Sequence, residues 1–159
     1  MAIANTKSRA VSNRDASPRV PSPAHLVRGP LFEAVGNVEI GVDDEAGSTY
    51  RMARLRSSDR VSQLTITGDR GTIFSVGLYR TADDGGQSCG AGLFSAAVES
   101  SQFGTDVPIG AAVIEKRLWE RLGLSADPQI DYDVVLTNHY PGSVCAGPLA
   151  LRIRFTGGY

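Results

Sequence analysis

"LALRIRF", Leu149 to Phe155, is the stretch that decides the fold. Leu149, Leu151, Ile153 and Phe155 fall on one side of an extended chain, and Arg152 and Arg154 on the other. A period of two over a short run is the pattern of a strand with one face in a core and one in water. Weaker copies of it run upstream. "TIFSVGLYR" (72–80) puts Phe74, Val76 and Leu78 on one face, and "RVSQLTITGD" (60–69) sets Leu64 and Ile66 against Gln63, Thr65 and Thr67. "FEAVGNVEIG" (32–41) alternates loosely through Val35, Val38 and Ile40, and "YDVVLTNH" (132–139) is apolar enough for a strand covered on both faces. Between them lie turn-rich segments, "VDDEAGS" (42–48), "SSD" (57–59) and "GDRG" (68–71), whose Gly, Asp and Ser tolerate the dihedrals of tight turns.

Many short strands separated by turns predict an all-β, mainly antiparallel body. A jelly-roll-like β-sandwich fits best, with a partly open barrel as the alternative. One helix is expected within it. In "IEKRLWERLGLSADP" (114–128), Ile114, Leu118 and Leu122, with Trp119, form a stripe at helical spacing; Gly123 suits a left-handed cap and Pro128 bars continuation. "AGLFSAAVESS" (91–101) reads as a short helix or a loop with one turn.

Residues 1–30 have a different texture. Pro18, Pro21, Pro23 and Pro30 are half of the chain's prolines, and each fixes φ and removes a backbone donor. The segment is predicted to be an extended arm with no core of its own, ahead of a sandwich domain at 31–159. Lys7, Arg9, Arg14, Arg19 and Arg28 face only Asp15, a net charge of +4 in a chain whose total is −1, which leaves −5 for the remainder. A basic arm on an acidic body suits docking onto protein surfaces, and the overall balance argues against direct nucleic-acid binding. No apolar run reaches the ~20 residues of a membrane span, and no signal-peptide h-region is present, so a cytoplasmic site of synthesis and no membrane partner are expected.

The residues carry little chemistry. Cys89 and Cys145 are far apart and read as free thiols, while His25 and His139 are too few to complete a zinc site. Asp131 and Asp133 share a strand face near His139, but a solvated strand start accounts for them. The acidic turns "VDDEAG" and "TADDGG" lack the ligand spacing of a calcium loop, and no G-x-S-x-G, P-loop or dinucleotide fingerprint occurs. The expectation is a protein with no catalytic residues, no cofactor and no metal. Fourteen of the sixteen basic residues are Arg, the residue suited to planar, bidentate pairing at interfaces. Arg54 and Arg56 share one strand face, and Arg152 and Arg154 another; with Arg14, Arg19 and Arg28 of the arm they are the candidate interface set.

Five stretches carry a resemblance, in this order: "SNRDASP" (12–18), "FEAVGNVEI" (32–40), "GSTYRMARLRSSDRVSQLTI" (47–66), "VGLYRT" (76–81) and "IEKRLWERLGLSADPQIDYDVVLT" (114–137). They resemble the small virion structural proteins of tailed bacteriophages, in particular the head decoration (cement) proteins of short-tailed phages. The similarity implies a jelly-roll-like protein made in the host bacterial cytoplasm and bound to the outer surface of the head. Its partners would be the phage major capsid protein and itself, as a homodimer or homotrimer bridging neighbouring capsomers, with the arm as a strap across subunits. It would have no enzymatic activity. Two other readings remain open. One is a tail or head–neck component; the other is a carbohydrate- or ligand-binding β-sandwich using Trp119 and the tyrosines for stacking.

Overall fold

The structure is a computed structural model that describes residues 12, 15–18, 20, 21, 30–69, 71–139 and 146–157. By its internal contacts the chain divides into two units, Met1–Pro30 and Leu31–Tyr159. Most of the expected arm, including Arg14, Arg19, Arg28 and His25, lies outside the described residues; Ser12 and Asp15 are helical, where the prolines predicted an extended chain. Cys145 also lies outside them, and Cys89 is a free, exposed thiol.

The described residues of the second unit form eight strands: β1 (Leu31–Ile40), β2 (Thr49–Arg56), β3 (Arg60–Thr67), β4 (Ile73–Arg80), β5 (Ser88–Glu99), β6 (Thr105–Val107), β7 (Asp131–Asn138) and β8 (Gly147–Thr156). They form two four-stranded sheets, ordered β1-β8-β3-β6 and β2-β7-β4-β5, and every strand pair within them is antiparallel. Apart from the β4–β5 pair, which are neighbours in one sheet, consecutive strands are dealt alternately to the two sheets, which is the connectivity of a jelly roll. The barrel alternative therefore does not hold.

Position in the sheets explains the pattern of each strand. β8 lies second in its sheet, paired with β1 and β3, and its inward residues Leu149, Leu151 and Ile153 are buried while Arg152 stays exposed. Phe74, Val76 and Leu78 of β4 and Tyr132, Val134 and Leu136 of β7 meet them from the other sheet in one core. Two bulges break the strict alternation. A register shift between Val61 and Gln63 turns both Val61 and Leu64 inward, three residues apart. Another between Arg51 and Ala53 does the same for Met52 and Leu55. At that second bulge the sheet edges nearly touch: a Cβ on Gly36 of β1 would lie 2.0 Å from the Met52 carbonyl oxygen, so only glycine fits.

Two expectations require correction. The segment 91–101 is neither helix nor loop, because residues up to Glu99 belong to the twelve-residue strand β5, with Cys89 near its start. Its small residues allow the strand to bulge against β4, which pairs Leu78 with Gly90 but Val76 with Ser95. The helix expected from Ile114 is a single turn, α1 (Leu118–Arg121). Arg117 is extended (φ −70°, ψ 163°) and ends the helical ladder upstream. The first two amides of α1 donate instead to the β2–β3 turn, Leu118 to the Asp59 carbonyl (2.9 Å) and Trp119 to that of Ser57 (3.1 Å). Leu118 is thereby driven into the core, and Gly123 supplies the left-handed conformation expected of it (φ +74°).

Candidate functional site

Each sheet presents an outer face with its own polar network. On the β2-β7-β4-β5 sheet the network centres on Asp133. Far from being solvated, as its position near a strand start suggested, Asp133 is only 4% exposed. Its carboxylate accepts Arg51 Nη1 at 2.7 Å and Arg54 Nε at 2.9 Å. Arg51 continues across the face to the carbonyls of Arg80 (3.0 Å) and Gly86 (3.2 Å). The bulge at Met52 makes this possible, because it puts Arg51 and Arg54 on one face although they are three residues apart. Hydrogen bonding to Asp133, and then its charge, hold the Arg54 guanidinium above its ordinary pKa. Asp131 remains exposed, as expected of that position.

The β1-β8-β3-β6 sheet carries a rung of side chains across all four strands. Glu33 of β1 accepts Arg154 Nε of β8 at 3.1 Å, and Arg154 Nη1 donates to Gln63 Oε1 of β3 at 3.2 Å. Gln63 Nε2 (3.3 Å) and Thr65 Oγ1 (2.6 Å) then both donate to Asp106 of β6. The Thr65 bond, followed by that from Gln63, holds the Asp106 carboxyl below its usual range. Arg152 sits beside the rung, 3.8 Å from Glu33, and both partners are substantially exposed.

Between the sheets at one end lies a cavity of about 390 Å³ lined by Phe32, Leu55 and Phe155 and rimmed by Arg54, Arg56, Asp59 and Asp131. The Phe32 and Phe155 rings pack tilted, 5.7 Å between centroids. Nearby, the Arg121 guanidinium stacks 5.1 Å from the Phe94 ring centroid and donates to the Val61 carbonyl at 3.3 Å. Burial, and then repulsion from Arg60, push its pKa down.

The four candidate arginines of the body thus occupy two sites. Arg54 and Arg56 lie beside the cavity, and Arg152 and Arg154 on the opposite sheet's outer face. Arg51, Glu33 and Asp106 complete these networks and were not singled out from the sequence, which weighed Asp133 only beside Asp131 and His139 and Gln63 only as an outward strand residue. A bulge signal such as "YRMAR" could have flagged Arg51; nothing in the linear pattern marks the others. His139 does not meet the aspartates, since its Nε2 is hydrogen-bonded to Ser75 Oγ at 2.8 Å. That Ser75 is 3% exposed. Of the stacking residues considered for carbohydrate, Tyr132 is buried in the core and the Trp119 indole nitrogen is buried without a partner.

No family model matches the chain, and no curated protein matches it in sequence. Among solved structures, it superposes on a chain of the structure titled "Cyanophage Pam1 capsid asymmetric unit" with a TM-score of 0.51. The match covers 98% of this chain and 99% of that one at 12% sequence identity. The likeness is one of fold, and it extends from end to end.

Proposed function

We propose that this chain is a structural protein of a bacteriophage virion, and within the virion a head decoration (cement) protein. In this reading it binds the outside of the major capsid shell as a homodimer or homotrimer and bridges neighbouring capsomers. It works by binding alone, without catalysis or a cofactor. The observation that carries the proposal is the end-to-end likeness to a chain of a phage capsid asymmetric unit, which a chance resemblance of one sandwich half would not produce.

The chemistry of the surface supports it. A cement protein needs rigid faces whose polar groups are already oriented, because each flexible side chain fixed on binding costs about 0.5–1.5 kcal/mol. The Glu33–Arg154–Gln63–Asp106 rung and the Arg51–Asp133–Arg54 cluster hold such groups in place beforehand. The basic residues of 1–30 would add a strap that tightens once several copies engage together.

Counting copies in purified particles of the phage that encodes the chain tests the proposal. A number comparable with that of the major capsid protein, removed from the head surface by mild dissociation with loss of heat resistance, is the expected result. A few copies per particle would reassign the chain to the tail or neck, and absence from particles would end the virion reading.

A further inference from the structure

The outer face of the β1-β8-β3-β6 sheet combines a knob and a hollow. The knob is Phe103, 99% exposed in the turn between β5 and β6. That turn is pinned to the sheet: the amides of Gly104 and Gly68 both donate to the Ser101 carbonyl at 3.1 Å. Gly104, next to Phe103, lies against Thr65 and Thr67 of β3 on this same face. A large apolar side chain fixed wholly in water on a rigid turn is what an interface anchor requires.

The hollow lies beside it. At the rung where β8 carries Ala150, its neighbours are Asn37 of β1 and Thr67 of β3. Further along β8 this face bears Arg152 and Arg154; here a methyl group takes their place, leaving a depression of about 540 Å³. Pro148, Leu149 and Ala150 give it apolar lining, and Glu39, Asp69 and Gln102 are among its polar lining residues. Gln102, which lines the hollow, is the residue before Phe103, so the knob stands on the turn that rims the hollow.

We infer that this face is a self-association surface, in which Phe103 of one copy enters the hollow over Ala150 of a second copy. A two-fold interface requires one patch to carry both complementary parts, and this patch does. Exposed Val35 and Leu31 on β1 extend its apolar area, and the Glu33–Arg152 pair supplies groups of both signs for reciprocal pairing. With strands about 4.8 Å apart and about 3.4 Å per residue, the sheet offers roughly 500 Å² per copy. Two copies then bury about 1,000 Å², close to the lower bound for a specific interface, so the dimer depends on its anchor. The inference stands on this face alone and does not rest on the virion reading.

Sedimentation velocity on the full-length protein tests it. Wild type should form a dimer. Phe103→Ser should keep the far-UV circular dichroism unchanged, because the side chain touches nothing inside its own fold, and weaken the dimer at least ~30-fold. Ala150→Lys, which fills the hollow from the other side, should give the same loss. An equimolar mixture of the two variants should regain dimer, since Phe103 of the Ala150→Lys copy still meets an open hollow in the Phe103→Ser copy. A wild type that stays monomeric at every concentration, including one whose hollow takes up an oligosaccharide instead, would overturn the inference. So would a Phe103→Ser variant that associates as tightly as wild type.

Discussion

Leu118 and Ile114 separate two accounts of the segment before β7. On a continuous amphipathic helix they lie one turn apart on the same stripe, and truncating either should destabilise the protein comparably. In the structure only Leu118 is core, at 0% exposed, whereas Ile114 sits in a turn at 38%. Leu118→Ala removes a buried side chain from beneath a turn that two hydrogen bonds tie to Ser57 and Asp59, so the site has little freedom to collapse. The loss should be about 3 kcal/mol, within the usual range for buried leucine truncations. With an unfolding entropy of about 2.1 cal/mol/K per residue, that lowers Tm by roughly 10 °C. Ile114→Ala, leaving no enclosed cavity, should stay under about 1 kcal/mol, or roughly 3 °C. Calorimetric melting of the two variants beside wild type provides the measurement. Equal drops in Tm would refute the single-turn account and restore the longer helix.

Two further outcomes follow from particular contacts. Burial, a hydrogen bond to Asp44 and the charge of Asp44 raise the Tyr50 phenol from 10.0 to about 12. The unfolded chain therefore ionises first: Tyr50 contributes stability that is fully present below about pH 10 and is lost as pH rises towards about 12. Tyr50→Phe should flatten that part of the stability curve in pH-dependent melting, and an unchanged slope would refute the coupling. Gly36→Ala places a methyl 2.0 Å from the Met52 carbonyl oxygen, so β1 must move off β2. A loss of at least about 1–3 kcal/mol is expected in urea unfolding, and a neutral result would mean the sheet edges are not in contact.

What the sequence made legible follows from how far each feature depends on neighbours in the chain. Strand β8 was readable because it runs without a bulge against β1 and its inward side chains are all large. The acidic turn at 42–48 was equally local: Asp44 accepts the Gly41 amide at 3.0 Å, as turn chemistry requires. β5 was misread because Ala and Gly at its bulges carry no strand signal, and their conformation is set by β4. The helix was overextended because periodicity cannot register that the β2–β3 turn takes the first amides of α1. Asp133 follows the same logic. Whether an aspartate on a strand is solvated depends on who faces it, and its partners Arg51 and Arg54 come from a strand about eighty residues earlier, brought onto one face by a bulge.

The candidate arginines also divide in a way that sequence alone cannot express. Arg54 is engaged within its own chain, sharing with Arg51 the carboxylate of Asp133, which is sunk in the sheet. Arg154 is similarly spanned between Glu33 and Gln63. Both guanidinia already hold acceptors of their own chain and present oriented, partly exposed groups. Arg152, only loosely held at 3.8 Å from Glu33, and Arg56, exposed at the rim of the cavity, keep their guanidinium donors available. An acidic partner meeting either one gains a charge-assisted hydrogen bond without breaking one inside the protein. A period of two places all four arginines on outer faces with equal weight. The distinction between those already held by acceptors of their own chain and those with donors to spare arises only when the opposite strands are in position.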